Sequence, residues 1–171
     1  SISKPVTAVA IMKLIEEGRL SLDDRVFGKE GILGRDYTAH SPETEDVTVR
    51  HLLTHTAGKA WSNKKDDPMF ARRELSHQEL IAWMLKKKPL AQPPGTEYAY
   101  SNFGYCLLGR VIEKITGMQY ARYVKKSVLV PCGCGKLHRF PDPMRNTSFQ
   151  CPSDGRKLAY ACTCEDTFQL R

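Results

Sequence analysis

A mainly α-helical chain is predicted by three features of the sequence. Apolar residues recur three and four apart, helix-start and helix-stop residues bracket those runs, and sustained alternation of apolar with polar residues is scarce. The 171 residues give room for one domain with its own core, and 41% apolar with 26% charged residues is an ordinary globular composition.

Each element can be justified in order. From Pro5 to Glu17, Val6, Val9, Ala10 and Leu14 mark one helical face. Ile11, Met12 and Ile15 widen it until it is nearly all round, which predicts a buried helix. Pro5 falls in the first turn, where its missing N–H costs nothing, and Gly18 closes the other end. Asp36 to Asp46 reads as loop. Thr48 is placed to cap a short helix running through His51 and His55 and stopping at Gly58. The clearest start follows: Ser76 and Glu79 have the spacing of a capping box, Leu75 and Leu80 that of a hydrophobic staple, and the helix runs through Trp83 to the lysines before Pro89. After the turn Pro93-Pro94-Gly95, Tyr98 and Tyr100 alternate as in an extended segment. Gly104, Leu107, Leu108, Val111, Ile112 and Ile115 return to helical spacing, ended by Gly117, and a further amphipathic piece carries Tyr120, Tyr123 and Val124. Beyond about Leu137, RFPDPMRNTSFQCPSDGRK holds many breakers and no sustained period, so it reads as loop or tail. No internal repeat is visible.

Charge excludes some functions. The net charge is +7, and residues 1–50 carry 7 basic and 9 acidic side chains against 19 and 10 beyond them. The cations come as Lys64-Lys65, Arg72-Arg73, Lys86-Lys87-Lys88 and Lys125-Lys126, flanking helices rather than interleaving with aromatics, so no nucleic-acid partner is expected. No apolar run approaches the roughly 20 residues needed to span a bilayer. Of six cysteines, Cys106 sits in an apolar helical stretch and reads as a small buried hydrophobe. Cys132, Cys134, Cys151, Cys162 and Cys164 crowd the C-terminal end; their C-x-C pairs are a weak zinc signal, and disulfides in an oxidising or secreted setting are the other reading. His51 and His55, four apart, can share a metal in principle, but no H-E-x-x-H pattern accompanies them and a structural role is preferred. No motif for a nucleotide, haem or flavin cofactor is present.

Chemistry enters at the first residues. The chain opens SISKPVTAVA on Ser1, not on an initiator methionine, as a processed chain or a piece of something longer would. Residues three apart share a helix face, so Ser1 and Lys4 bring a hydroxyl and an amine together at a helix N-terminus. A lysine whose ammonium form is disfavoured by burial can take the serine proton, and the helix N-terminus favours the developing negative charge. S-x-x-K is common, and its bland reading is a capping serine beside a surface lysine. Support comes from YAYSNFGYCLLGRVIEKITG, where Tyr100 and Asn102 lie two apart at the entrance of a helix. The phenol can pass protons between nucleophile and leaving group, and the amide can hold a substrate carbonyl. Here the bland reading is two polar residues at a helix start, with Ser101 or Asn102 as the cap.

Together SISK, LSLDDRV, VRHLLTHTAG and PGTEYAYSNFGYCLLGRVIEKITG resemble the penicillin-recognising serine hydrolases: class C beta-lactamases, D,D-peptidases and related esterases. The triplet Tyr100-Ser101-Asn102 resembles the class C and esterase branch. The resemblance implies an α+β parent fold of the beta-lactamase/transpeptidase type, of which this chain holds mainly the helical subdomain with most of the sheet missing. Residues 1–136 would be a partial beta-lactamase-like domain and 137–171 a divergent, loop-rich tail. It implies an acyl-enzyme on Ser1, with Lys4 and Tyr100 as proton-transfer partners and Asn102 as a substrate-amide contact. The substrate would be a small molecule or peptide with an amide or ester bond, and neither cofactor nor metal is needed. His55, Thr56 and Gly58 would support the site without catalysing.

The departures shape the alternatives. The family's third element, K-T-G or H-x-G, has no match from Asn102 to Arg171, and with it goes one oxyanion-hole N–H, an interaction worth about 3–4 kcal/mol. The other donor is the N–H of the nucleophile, and on a free N-terminus that group is a charged amine. This admits an N-terminal-nucleophile hydrolase as a rival, although such enzymes are rich in strands and leave Tyr100 and Asn102 unexplained. A non-catalytic scaffold or binding protein that keeps the fold is the alternative from another class. A helical subdomain without its sheet is also expected to expose an apolar face, chiefly on the first helix and along Leu107 to Ile115.

Overall fold

In a computed structural model, the described residues are 3–38, 41–63, 67–72 and 74–134, with the backbone of three short strands at 138–140, 148–150 and 157–159. The helices are α1 (Ser3–Glu16), α2 (Pro42–Glu45), α3 (Val49–Leu53), α4 (Pro68–Ala71), α5 (His77–Lys87), α6 (Asn102–Thr116) and α7 (Tyr120–Val124), with a 3-10 turn at Lys59–Trp61 and a π turn at Lys125–Leu129. The mainly helical expectation holds for this part of the chain.

α6 is the hub, with α1, α3, α4 and α7 packing against it. Ser101 caps its first turn by accepting the Gly104 N–H at 3.0 Å, and Gly117 ends it in the left-handed region at φ 66°. The expected exposure of its apolar stripe is not found. Leu107, Leu108, Val111 and Ile112 are each 0% exposed, because the four surrounding helices enclose that face. Cys106 on the same helix is buried and disulfide-bonded, so it is more than a small hydrophobe.

α1 is not buried all round, and the apolar exposure expected on the first helix is present. It buries Ser3, Lys4, Thr7, Ala10, Ile11 and Leu14, a single face at helical spacing. Val9 and Met12 remain 51% and 50% exposed, since the partners of α1 among the described residues, α6, α7 and the π turn, engage the other face.

Local signals explain the short elements. α5 has the predicted capping box: Ser76 N–H donates to Glu79 Oε2 at 2.8 Å and Glu79 N–H to Ser76 Oγ at 3.3 Å. α3 uses the same device with a histidine, Thr48 N–H donating to His51 Nδ1 at 3.2 Å. It ends at Leu53, earlier than Gly58, because His55 turns left-handed at φ 59° and reverses the chain. Gly58 then takes φ 143°, and a Cβ there would stand 2.8 Å from Leu90 Cδ2, so glycine is required. α2 falls inside the segment read as loop. It is a single turn started by Ser41 and Pro42, too short to show a period.

Trp61 fills the centre of the core. It is fully buried, meets Phe103 and Phe27 edge-on at 5.3 and 6.1 Å, and its indole N–H donates to Lys88 O at 2.9 Å.

The segment read as loop or tail contains β1 (His138–Phe140), β2 (Ser148–Gln150) and β3 (Lys157–Ala159), antiparallel in the order β1-β2-β3. His138 pairs with Gln150 and Ser148 with Ala159. Three residues per strand are too few for alternation to be read from sequence. Among the described residues no helix is long and apolar enough to cross a membrane.

Candidate active site

Ser1 lies outside the described residues. Lys4 lies in the first turn of α1, and the surface-lysine reading fails there, since it is only 7% exposed. Its ammonium donates to Asn102 Oδ1 at 2.5 Å, across 98 positions of sequence. It also stands over the rings of Tyr100 and Tyr105, 5.0 and 5.5 Å from their centroids, where the π faces attract a cation. Three of the four residues expected at the site, Lys4, Tyr100 and Asn102, are therefore brought together.

Asn102 is held at its backbone N–H and at both ends of its side-chain amide. As the first residue of α6 it donates its backbone N–H to Asn63 Oδ1 at 2.9 Å, while Nδ2 donates to Asp67 Oδ2 at 2.7 Å. Asn63 in turn donates its backbone N–H to Tyr100 O at 3.0 Å, tying the segment after the 3-10 turn to the Tyr100 strand-like stretch. With one bond to Lys4 and one to Asp67, the Asn102 amide keeps a second N–H and a second lone pair for a ligand.

His55 organises the other wall. Its ring lies 4.5 Å from that of Tyr100 and 5.0 Å from that of Tyr105, its carbonyl accepts the Ala99 N–H at 2.7 Å, and Nδ1 accepts the Ser101 N–H at 3.2 Å. Accepting at Nδ1 requires a neutral ring protonated at Nε2. Tyr105 follows Asn102 by three residues on the same face of α6, and its hydroxyl donates to Leu53 O at 3.1 Å. Burial pushes the Tyr105 phenol up, with Tyr100 and Tyr98 adding to the shift, so it serves as a neutral donor. His51, assigned a structural role, caps α3 through Nδ1.

The His55 imidazole is held below its ordinary pKa by burial and by the Lys4 charge. Its folded value therefore lies below the unfolded one of about 6.5, and between the two the unfolded chain binds a proton that the folded chain does not. Stability rises with pH across that window. The contribution is complete above about 6.5 and is lost as pH falls from there toward the folded value. His51, also lowered by burial and by Arg50, adds with the same sign. The thermal midpoint is thus expected to drop between pH of about 7.5 and about 5.5. His55→Asn, which tolerates the left-handed backbone, should flatten that drop; an equal drop in the variant would show that His55 is not the titrating group.

Sequence reasoning singled out neither Asp67 nor Asn63, nor Tyr105. The available signals were Asp67-Pro68, a helix cap followed by a first-turn proline, and the i, i+3 relation of Tyr105 to Asn102.

This helical arrangement is shared with solved structures of other proteins. One is the octameric penicillin-binding protein homologue from Pyrococcus abyssi, with a TM-score of 0.62 and 34% identity over 92% of this chain and 37% of that one. Another is a D-stereospecific amidohydrolase from a Streptomyces species, with a TM-score of 0.64 and 29% identity over 84% of this chain and 46% of that one. The chain belongs to the Beta-lactamase family, whose model matches residues 1–161. Among curated relatives, Penicillin-binding protein 4* of Bacillus subtilis (strain 168) is 35% identical over 139 residues, 78% of this chain and 28% of that protein. The chain thus spans less than a third of the length of that relative.

Proposed function

We propose that the protein is a serine hydrolase acting on amide or ester bonds through an acyl-enzyme on Ser1. The observation that carries this reading is the Lys4–Asn102 hydrogen bond, which joins the S-x-x-K and Tyr100-Ser101-Asn102 motifs into one site. In this scheme Lys4 reacts as the free amine, one N–H remaining on Asn102 Oδ1 while its lone pair takes the serine proton. The serine oxygen bonds the substrate carbonyl carbon, the bond from that carbon to the leaving nitrogen or oxygen breaks, and Tyr100 shares the transfer of the proton to the leaving group. The free N–H and lone pair of Asn102 orient the substrate amide. Family membership and the amidohydrolase and penicillin-binding relatives support the same reaction class.

The test is intact mass after incubation with a penicillin and, separately, with an activated ester. An adduct mapped to Ser1 and missing in Ser1→Ala is expected, and its rate of hydrolysis would then separate a beta-lactamase from a peptidase or esterase. An adduct that persists in Ser1→Ala would sink the nucleophile assignment. No adduct with either reagent would leave two readings, an incomplete site or a non-catalytic scaffold or binding protein.

A further inference from the structure

Asn102 meets two partners of opposite kind. As an ammonium Lys4 can only donate, and the Asp67 carboxylate can only accept, so the two ends of the amide are told apart: Oδ1 faces the ammonium and Nδ2 faces the carboxylate. The carboxylate is itself anchored. Its Oδ1 accepts the Met69 N–H at 3.0 Å and caps α4, while Oδ2 takes the Asn102 N–H, so each oxygen has one task. α4 is seated by buried Pro68 and Met69 and packs on α6, the helix that begins with Asn102.

We propose that Asp67 is a positioning residue that pins the Asn102 side-chain amide and thereby fixes the acceptor presented to Lys4. Its consequence for acylation rests on the serine-hydrolase reading, whereas the pinning itself does not. Two effects follow from the charge. The carboxylate opposes rotation of the amide about its terminal torsion, because a half-turn would aim Nδ2 at the ammonium and Oδ1 at the carboxylate, donor against donor and acceptor against acceptor. By drawing on the N–H it also raises the electron density at Oδ1, strengthening the bond to Lys4. A neutral residue at 67 does neither as well. Asparagine has a single acceptor oxygen for the two donors that Asp67 serves with two.

Asp67→Ser separates the roles, since serine remains a good helix cap but is too short to reach Asn102. The full chain is examined by two independent readouts. In nuclear magnetic resonance spectra, the Met69 backbone amide should stay near its wild-type position, showing that α4 is intact. The Asn102 side-chain NH2 should lose the downfield shift of a carboxylate-bound amide and exchange with water about tenfold faster or more. In acylation by a fluorescent penicillin, the limiting rate should fall about 10- to 100-fold while the half-saturating concentration stays within about twofold. An unchanged Asn102 NH2 signal in Asp67→Ser would overturn the pinning. A changed signal with a wild-type acylation rate would overturn the positioning role in catalysis. If the wild-type chain is never acylated but the NH2 signal responds, the pinning stands while acylation of this chain is ruled out.

Discussion

Lys4→Met is expected to slow acylation of the serine by about 100- to 10,000-fold, the usual contribution of a placed general base. Methionine keeps the length and apolar stem of the lysine, so the buried first turn of α1 should still pack. What disappears is the amine that bonds Asn102 Oδ1 and faces Tyr100. The effect on stability should be far smaller, within about 2 kcal/mol. Loss of the hydrogen bond and of the cation–π contacts is offset by no longer desolvating a charge. The decisive comparison is the rate of adduct formation against the thermal midpoint of the same sample. A variant that acylates at the wild-type rate would remove Lys4 from the mechanism, and one that is unfolded would call for Lys4→Gln instead.

The second large effect is on the fold. Trp61→Ala should cost about 3–5 kcal/mol, the range for a fully buried aromatic whose cavity cannot fully collapse. Set against a typical domain stability of about 5–15 kcal/mol, that is enough to depopulate the native state at moderate denaturant. Two aromatic edges, on Phe103 and Phe27, lose their partner, and Lys88 O loses its donor. Trp61→Phe keeps most of the packing and isolates the hydrogen bond, with an expected cost of about 1–3 kcal/mol. Urea unfolding midpoints at constant slope would measure both. A loss below about 1 kcal/mol for the alanine variant would mean that the core does not depend on this ring. The damage should reach the site as well, because Trp61 O accepts the hydroxyl of Ser101, the cap of α6, at 2.5 Å.

What was legible in the sequence follows the length and chemistry of each element. α5 and α6 were readable because they are long enough to repeat an apolar period and carry unambiguous ends, Ser76 with Glu79 for one and Gly117 for the other. α2 and α4 are single turns whose only signals are Ser41-Pro42 and Asp67-Pro68, so periodicity passes over them. The breadth of apolar residues on α1 was visible, but which side would be covered depends on where α6 and α7 lie, and that is not a local property. In the candidate site, Lys4, Tyr100 and Asn102 could be singled out from sequence because each belongs to a short motif. Asp67 and Asn63 were not, because their meaning comes from facing Asn102 across 35 and 39 positions. The positive φ of His55 was equally hidden, since histidine carries no glycine-like signature for a chain reversal.

The 98 positions separating Lys4 from Asn102 have a consequence of their own. Neither half of the site can find the other by local diffusion, because closing so long a loop is an entropic cost that only the completed core repays. The effective concentration of one half at the other is therefore set by the global folding equilibrium. Any change that loosens the helices between them, however far from the lysine, dilutes the assembled site in the same proportion as it populates the open chain.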